Sequence, residues 1–189
     1  MKQSDLRVMT IVGTRPELIR LSRVITILDS NLNHILVHTG QHFDNNMSKV
    51  FFDELSIKEP ERNMNVGSGS HTFQTAMTML KFEEIVQDIK PNLLILYGDV
   101  NATIAGALVG SKMGIPIAHV EAGLRSYDKT MPEEINRILT DRVSDILFVT
   151  EKSGINNLKN EGISPKKIHF VGNCMIDSLI TFLPKANNT

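Results

Sequence analysis

The chain of 189 residues has a single cysteine, Cys174. That excludes a disulfide framework within the chain and argues against a cysteine-based metal site. Neither sign of charge dominates: 20 Lys and Arg stand against 21 Asp and Glu, a formal net charge of -1. No field of one sign therefore marks a nucleic-acid or acidic-membrane partner. Long apolar runs are also missing. Leu6–Val12 is too short to cross a bilayer and meets Gly13, Arg15 and Pro16 at once. No secretory signal is read, and the cytoplasm is the expected location. No Gly-x-Gly-x-x-Gly and no Gly-Lys-Ser/Thr follows that first run, so neither a standard dinucleotide site nor a P-loop is supported. His119-Val120-Glu121 lacks the Pro-Cys-x-x-Cys of a zinc deaminase. Asp99-Val100-Asn101 lacks the downstream ligands of a calcium loop. The expectation is no metal and no cofactor.

What is present is ordinary for a folded domain: 41% hydrophobic and 22% charged residues. Short, nearly continuous apolar runs lie at Leu6–Val12, His34–His38, Leu93–Tyr97, Ile115–Val120, Ile146–Val149 and Ile168–Val171, with a weaker one near Asn63–Val66. Such runs suit strands buried on both faces. Helical stretches alternate with them: Pro16–Leu28, Asn46–Leu55, His71–Ile89, Thr103–Met113, Glu133–Val143, Lys152–Asn160 and Asp177–Leu183. Ser70 is a candidate cap for the third. The alternation predicts an α/β fold, a Rossmann-like doubly wound parallel sheet of about six or seven strands with helices on both faces. The expected domain spans 1–183, and 184–189 reads as a tail or the start of a linker.

Four loops carry charge just after a strand-like run: Gly13-Thr14-Arg15-Pro16-Glu17, Gly98-Asp99-Val100-Asn101, His119–Arg125 and Met131-Pro132-Glu133-Glu134. In a doubly wound sheet these loops face one crevice, which brings Arg15, Asp99 and Glu121 together. Each loop has a plainer reading. Gly13–Pro16 suits a tight turn into a helix, or an anion site built from a helix N-terminus and Arg15. Asp99 suits a helix cap. Glu133 and Glu134 suit a helix dipole. Glu121 resists such a reading, because a carboxylate ending so apolar a strand needs a partner. His119 reads as a satisfied packing histidine.

Taken in order, Gly-Thr-Arg-Pro-Glu (13–17), Thr-Gly-Gln-His (39–42), Gly-Asp-x-Asn-x-Thr (98–103), His-Val-Glu-Ala-Gly-Leu-Arg-Ser (119–126) and Met-Pro-Glu-Glu-Ile-Asn-Arg (131–137) resemble the non-hydrolysing UDP-N-acetylglucosamine 2-epimerase family. The likeness covers nearly the whole chain. It implies the N-terminal half of a glycosyltransferase-B-type architecture, with the C-terminal UDP-binding domain absent. It implies a UDP-sugar substrate, a homodimer and a need for the second domain. Asp99, Glu121 and Glu133 match the family's acidic active-site positions. Arg15 matches its basic position, and Gly13, Arg20, Gln41, His42 and Arg125 fall to substrate binding. Arg20 departs from the lysine of many members and resembles epimerases for other UDP-acetamido sugars, including the UDP-N-acetyl-L-fucosamine pathway. The implied chemistry eliminates UDP to a 2-acetamidoglucal and adds it back on the other face. Which carboxylate takes which proton stays open. A different class is also open: a truncated, non-catalytic binding or interaction module.

Overall fold

A computed structural model describes residues 5–40 and 52–186. Strands β1 (Arg7–Val12), β2 (Asn33–His38), β3 (Arg62–Asn63), β4 (Leu93–Tyr97), β5 (Ile117–Ala122), β6 (Ile146–Val149) and β7 (Ile168–Phe170) form one sheet in the order β3-β2-β1-β4-β5-β6-β7. Every neighbouring pair is parallel. Helices α1 (Arg15–Asn31), α2 (His71–Ile89), α3 (Asn101–Lys112), α4 (Pro132–Val143), α5 (Lys152–Asn160) and α6 (Cys174–Ala186) connect and flank the strands.

Why the strands read as unbroken apolar runs is visible along β1. Val8 and Val12 pack with Leu18, Leu21 and Ile25 of α1. Met9 and Ile11 pack on the other face with Phe82 and Val86 of α2. Both faces are covered, so both phases of the strand must be apolar. Helix α3 lies tight against the second face because of its glycines. A Cβ on Gly106 would stand 2.9 Å from Leu96 Cδ2, and one on Gly110 would stand 2.6 Å from Leu94 Cδ1. Its small-residue surface therefore belongs to the core. Among the described residues, no helix is long and apolar enough to cross a membrane.

Several element bounds differ from expectation. β5 starts at Ile117, after Pro116, and runs on through Glu121 to Ala122. α6 begins at Cys174 and passes through Pro184 to Ala186. A proline there lacks the amide that would bond to the Ile180 carbonyl, so the helix loses one bond close to its end. Ser70 caps α2, its hydroxyl accepting from the Phe73 amide at 3.2 Å. Gln41, His42 and most of the expected helix Asn46–Leu55 lie outside the described residues.

Candidate active site

The strand order reverses beside β1, whose neighbours β2 and β4 lie on opposite sides. The loops after β1, β4 and β5 therefore leave the same edge of the sheet, the place where open α/β sheets bind ligands. Glu121 is brought there by a bulge. The pairing runs Val120 to Phe148 and then Ala122 to Val149, so Glu121 is the extra residue. Its φ is 70°, a left-handed conformation that glutamate rarely adopts. Bulges re-aim a side chain next to active sites, and strain held by the surrounding fold gathers there.

The Glu121 side chain is 9% exposed, and its Oε2 lies 3.9 Å from Arg20 Nη1. Burial raises the Glu121 pKa. Tyr97 and Arg20 oppose the rise, and the charge of Asp99 adds to it. Arg20 is 42% exposed and faces the carboxylate. Burial works against its charge, but Tyr97, Glu121 and Asp99 outweigh that and raise its pKa.

Asp99 does not cap α3; the capping position is Val100, without a side-chain bond. It is instead clamped by α4. Arg137 donates to Asp99 Oδ2 from Nε at 2.9 Å and from Nη2 at 2.5 Å, and Asn136 Nδ2 donates to the Asp99 carbonyl at 2.8 Å. Oδ1 has no partner among the described residues, and the side chain is 29% exposed. Arg137 also reaches Glu134 Oε2 at 3.0 Å. Glu134 in turn accepts from the Ser126 and Tyr127 amides. Its pKa is lowered, those bonds and Arg137 overcoming the upward push of burial. Glu133 sits partly buried in the first turn of the same helix, with no hydrogen bond or ion pair to another described residue.

At the N-terminus of α1 the expected anion site is partly occupied from inside. Glu17 Oε2 accepts from the Gly13 amide at 2.9 Å, the Thr14 amide at 2.7 Å and the Thr14 hydroxyl at 2.9 Å. The structure thus directs the Gly13 amide to Glu17. The absent side chain of Gly13 makes room for Thr39 and Ala102, 3.1 and 3.3 Å from where a Cβ would stand. Arg15 remains, half-buried and without a hydrogen-bond or ion-pair partner among the described residues. It is the cation of this loop left for an anion.

Arg125 lies elsewhere. Its side chain is 1% exposed; Nη1 pairs with Asp141 Oδ2 at 2.8 Å, while Nε and Nη2 fork onto Glu161, each at 2.7 Å. Assigned to substrate by resemblance, it is held here by the buried carboxylate of Asp141 and the exposed one of Glu161, which take up its donors. His119 is the satisfied core histidine expected. Nδ1 faces Asp141 Oδ1 at 2.7 Å, and Nε2 donates to the Gly98 carbonyl at 2.8 Å. A carbonyl can only accept, which fixes the proton on Nε2. Asp141 also accepts from the Gly123 amide at 3.0 Å. It thereby ties α4 to the loop following Glu121.

Glu17, Tyr97, Arg137 and Asp141 carry no role in the sequence reading, and Glu134 only that of suiting the helix dipole. A capping-box spacing signals Glu17, and Arg137 lies one helical turn beyond Glu133 and Glu134. Nothing local signals Tyr97 or Asp141.

Burial raises the Glu17 pKa from the ordinary 4.5 to about 7, against the bonds from Gly13 and Thr14. Burial also lowers that of His38 from 6.5 to about 4. The two act oppositely on stability. The folded state holds the Glu17 proton longer than the unfolded chain, so that contribution is present below about pH 4.5 and lost as pH rises to about 7. The His38 contribution is present above about 6.5 and lost as pH falls through about 4. Glu17→Gln removes only the first. Measured by urea unfolding, the stability of the variant relative to the natural chain rises by on the order of 3 kcal/mol from pH 4.5 to 7. A difference that does not change with pH would contradict the assignment.

The fold is one Rossmann-like half of a glycosyltransferase-B-type architecture. The UDP-N-acetylglucosamine 2-epimerase family model matches residues 27–189, and the chain belongs to that family. It is 54% identical over 178 residues to a UDP-N-acetylglucosamine 2-epimerase homolog of Methanococcus maripaludis, a match covering 94% of this chain and 50% of that protein. It is 47% identical over 187 residues to the UDP-2,3-diacetamido-2,3-dideoxy-D-glucuronate 2-epimerase of Pseudomonas aeruginosa, covering 97% and 53%. The crystal structure of Methanocaldococcus jannaschii UDP-GlcNAc 2-epimerase in complex with UDP-GlcNAc and UDP superposes with a TM-score of 0.93 at 45% identity, covering 97% of this chain and 51% of that one. The chain spans about half the length of the relatives it matches.

Proposed function

We propose that this chain forms the carboxylate-bearing half of an epimerase that inverts C2 of a UDP-acetamido sugar, with UDP-N-acetylglucosamine the first candidate. The observation that carries this reading is the pair of unlike carboxylates at one strand edge. Asp99 is held by Arg137 with one oxygen left over, and Glu121 is buried beside Arg20 with its pKa raised. Two carboxyls held so differently, one clamped by an arginine and one buried at the end of a strand, offer two distinct acid–base groups at one site.

C2 of an N-acetylhexosamine has no adjacent carbonyl, so direct deprotonation is unfavourable. Elimination avoids the difficulty. A carboxylate takes the C2 proton, the C1–O bond breaks, and UDP leaves with the electron pair. On return a UDP oxygen re-forms the bond to C1, and a carboxylic acid delivers a proton to the opposite face of C2. The departing diphosphate needs cations, and Arg15 and Arg20 stand at the right edge for that. Glu133 at the start of α4 joins the same acid–base set, and the family resemblance assigns Gln41 and His42 to substrate binding. The sequence uses no nicotinamide fingerprint for this, and the route requires none.

A second reading differs in the sugar. The Pseudomonas aeruginosa relative is named for a 2,3-diacetamido uronate, and Arg20 replaces the lysine of many members. Arginine keeps the charge but offers a planar fork of donors, so the sugar that fits best can differ. The reading extends to a cytoplasmic homodimer, with Phe73 and Leu80, the exposed apolar residues of α2, at the contact.

The test mixes this chain with the second half of a homologous epimerase and follows C2 epimerisation of several UDP-acetamido sugars by chromatography. Turnover of at least one is expected. A folded, associated pair inert toward all of them would sink the proposal. The chain alone is expected to show negligible turnover, because a site shared between domains loses positioning and water exclusion when one is missing.

A further inference from the structure

Tyr97 ends β4 one residue before Gly98 and is 1% exposed. Its register partner is Val120, so it lies beside the residue that precedes the bulged Glu121. The ring packs with Val12, Leu18 and Leu21 under α1. The hydroxyl at its tip is buried and makes no hydrogen bond of ordinary geometry, although it lies close enough to interact with Glu121 and Arg20. Buried hydroxyls are almost always paired, and an orphan calls for an explanation. Phenylalanine would fill the same space without leaving one. Around the oxygen stand the Glu121 carboxylate, the Cys174 thiol and the Arg20 guanidinium. Glu121 itself also feels Asp99 and His119.

We propose that Tyr97 is a positioning residue of this site, its hydroxyl donating to Glu121 when that group is ionised and so sharing with Arg20 the task of holding it. The geometry favours a donor role. Glu121 has two oxygens, and Arg20 stands only 3.9 Å from one of them. An ionised carboxylate accepts and cannot donate, so a neutral phenol facing it must supply the proton. Burial and the Glu121 charge push the Tyr97 pKa up, which keeps the phenol neutral throughout the working pH range. Hydrogen bonds at catalytic groups are commonly long in the empty site and shorten when ligand arrives. Tyr97 thus makes the ionised form of Glu121 accessible in a site that otherwise disfavours it.

The inference rests on the epimerase reading for its use but not for its test. Tyr97→Phe removes one oxygen and keeps the ring. The first measurement uses the 189-residue chain, natural and Y97F, with the Glu121 carboxyl followed by carbon NMR against pH. Loss of a donor to the charged form moves the Glu121 titration upward by about one pH unit. The thermal midpoint stays level or rises, since a buried unpaired hydroxyl has gone. An unmoved Glu121 titration in a folded Y97F chain would overturn the proposal; a purely structural tyrosine would give that result. In an active pair with a second domain, Y97F lowers kcat about tenfold and leaves KM nearly unchanged, and equal kcat would also overturn it. A natural pair without turnover sinks the epimerase reading, while the titration still decides the role of Tyr97.

Discussion

Asp141→Ala destabilises the chain by about 3 to 5 kcal/mol, as expected when one partner of a buried ion pair is removed. Asp141 is 1% exposed, accepts from Arg125 Nη1 and the Gly123 amide, and faces His119 Nδ1, three groups from different parts of the fold. Its pKa is lowered, His119 and Arg125 overcoming the upward push of burial. Without it, Arg125 stays buried with Glu161 alone, and the Gly123 amide loses its acceptor. Gly123 cannot relax by shifting toward α5, because even a Cβ placed there would lie 2.6 Å from the Gly154 carbonyl oxygen. The loss is a large fraction of the roughly 5 to 15 kcal/mol that holds an ordinary domain folded. Urea unfolding followed by circular dichroism measures it. A loss under about 1 kcal/mol would show that this network contributes little, and that Arg125 is free to serve elsewhere.

Glu121→Gln has the opposite profile. In a pair with a second domain that turns over, it lowers the rate of C2 epimerisation by about 10² to 10⁴, the usual worth of a positioned acid or base. Folding does not suffer, because the substitution removes a charge that burial disfavours and keeps the side-chain shape. Epimerisation rates together with thermal midpoints separate the two effects. A rate within tenfold of the natural pair would remove Glu121 from the proton transfers. A marked loss of stability would mean that the Arg20 contact is structural.

The contrast between these two carboxylates marks how far sequence reasoning reached. Apolar runs revealed β1, β4, β5 and β6, because strands covered on both faces need apolar residues in both phases. Alternation with helices then implied a doubly wound sheet whose order reverses beside β1, and with it the meeting of Asp99 and Glu121 at one edge. Periodicity reports burial, however, and says nothing about which opposite charge lies across a gap. Arg137 reaches Asp99 over 38 positions and Arg125 reaches Glu161 over 36. Both arginines sit in motifs that look alike in sequence, yet one clamps a crevice carboxylate and the other is sealed in the interior. The bulge at Glu121 was equally silent, since one extra residue in a strand leaves no mark in the apolar pattern. Glu17 hides for another reason. Its capping-box spacing is readable, but the consequence is not: the amides that were candidates for a phosphate are already taken by its carboxylate.

The measurement closest to the central claim follows proton NMR of UDP-N-acetylglucosamine in deuterated water with this chain and a complementing second domain. The account predicts deuterium at C2 and the manno isomer accumulating with it. It also predicts that both signals vanish with Glu121→Gln and are absent for the 189-residue chain alone. A folded, associated pair that leaves C2 protonated would contradict the assignment of this crevice to C2 chemistry. Exchange by the single chain would contradict the requirement for a second domain.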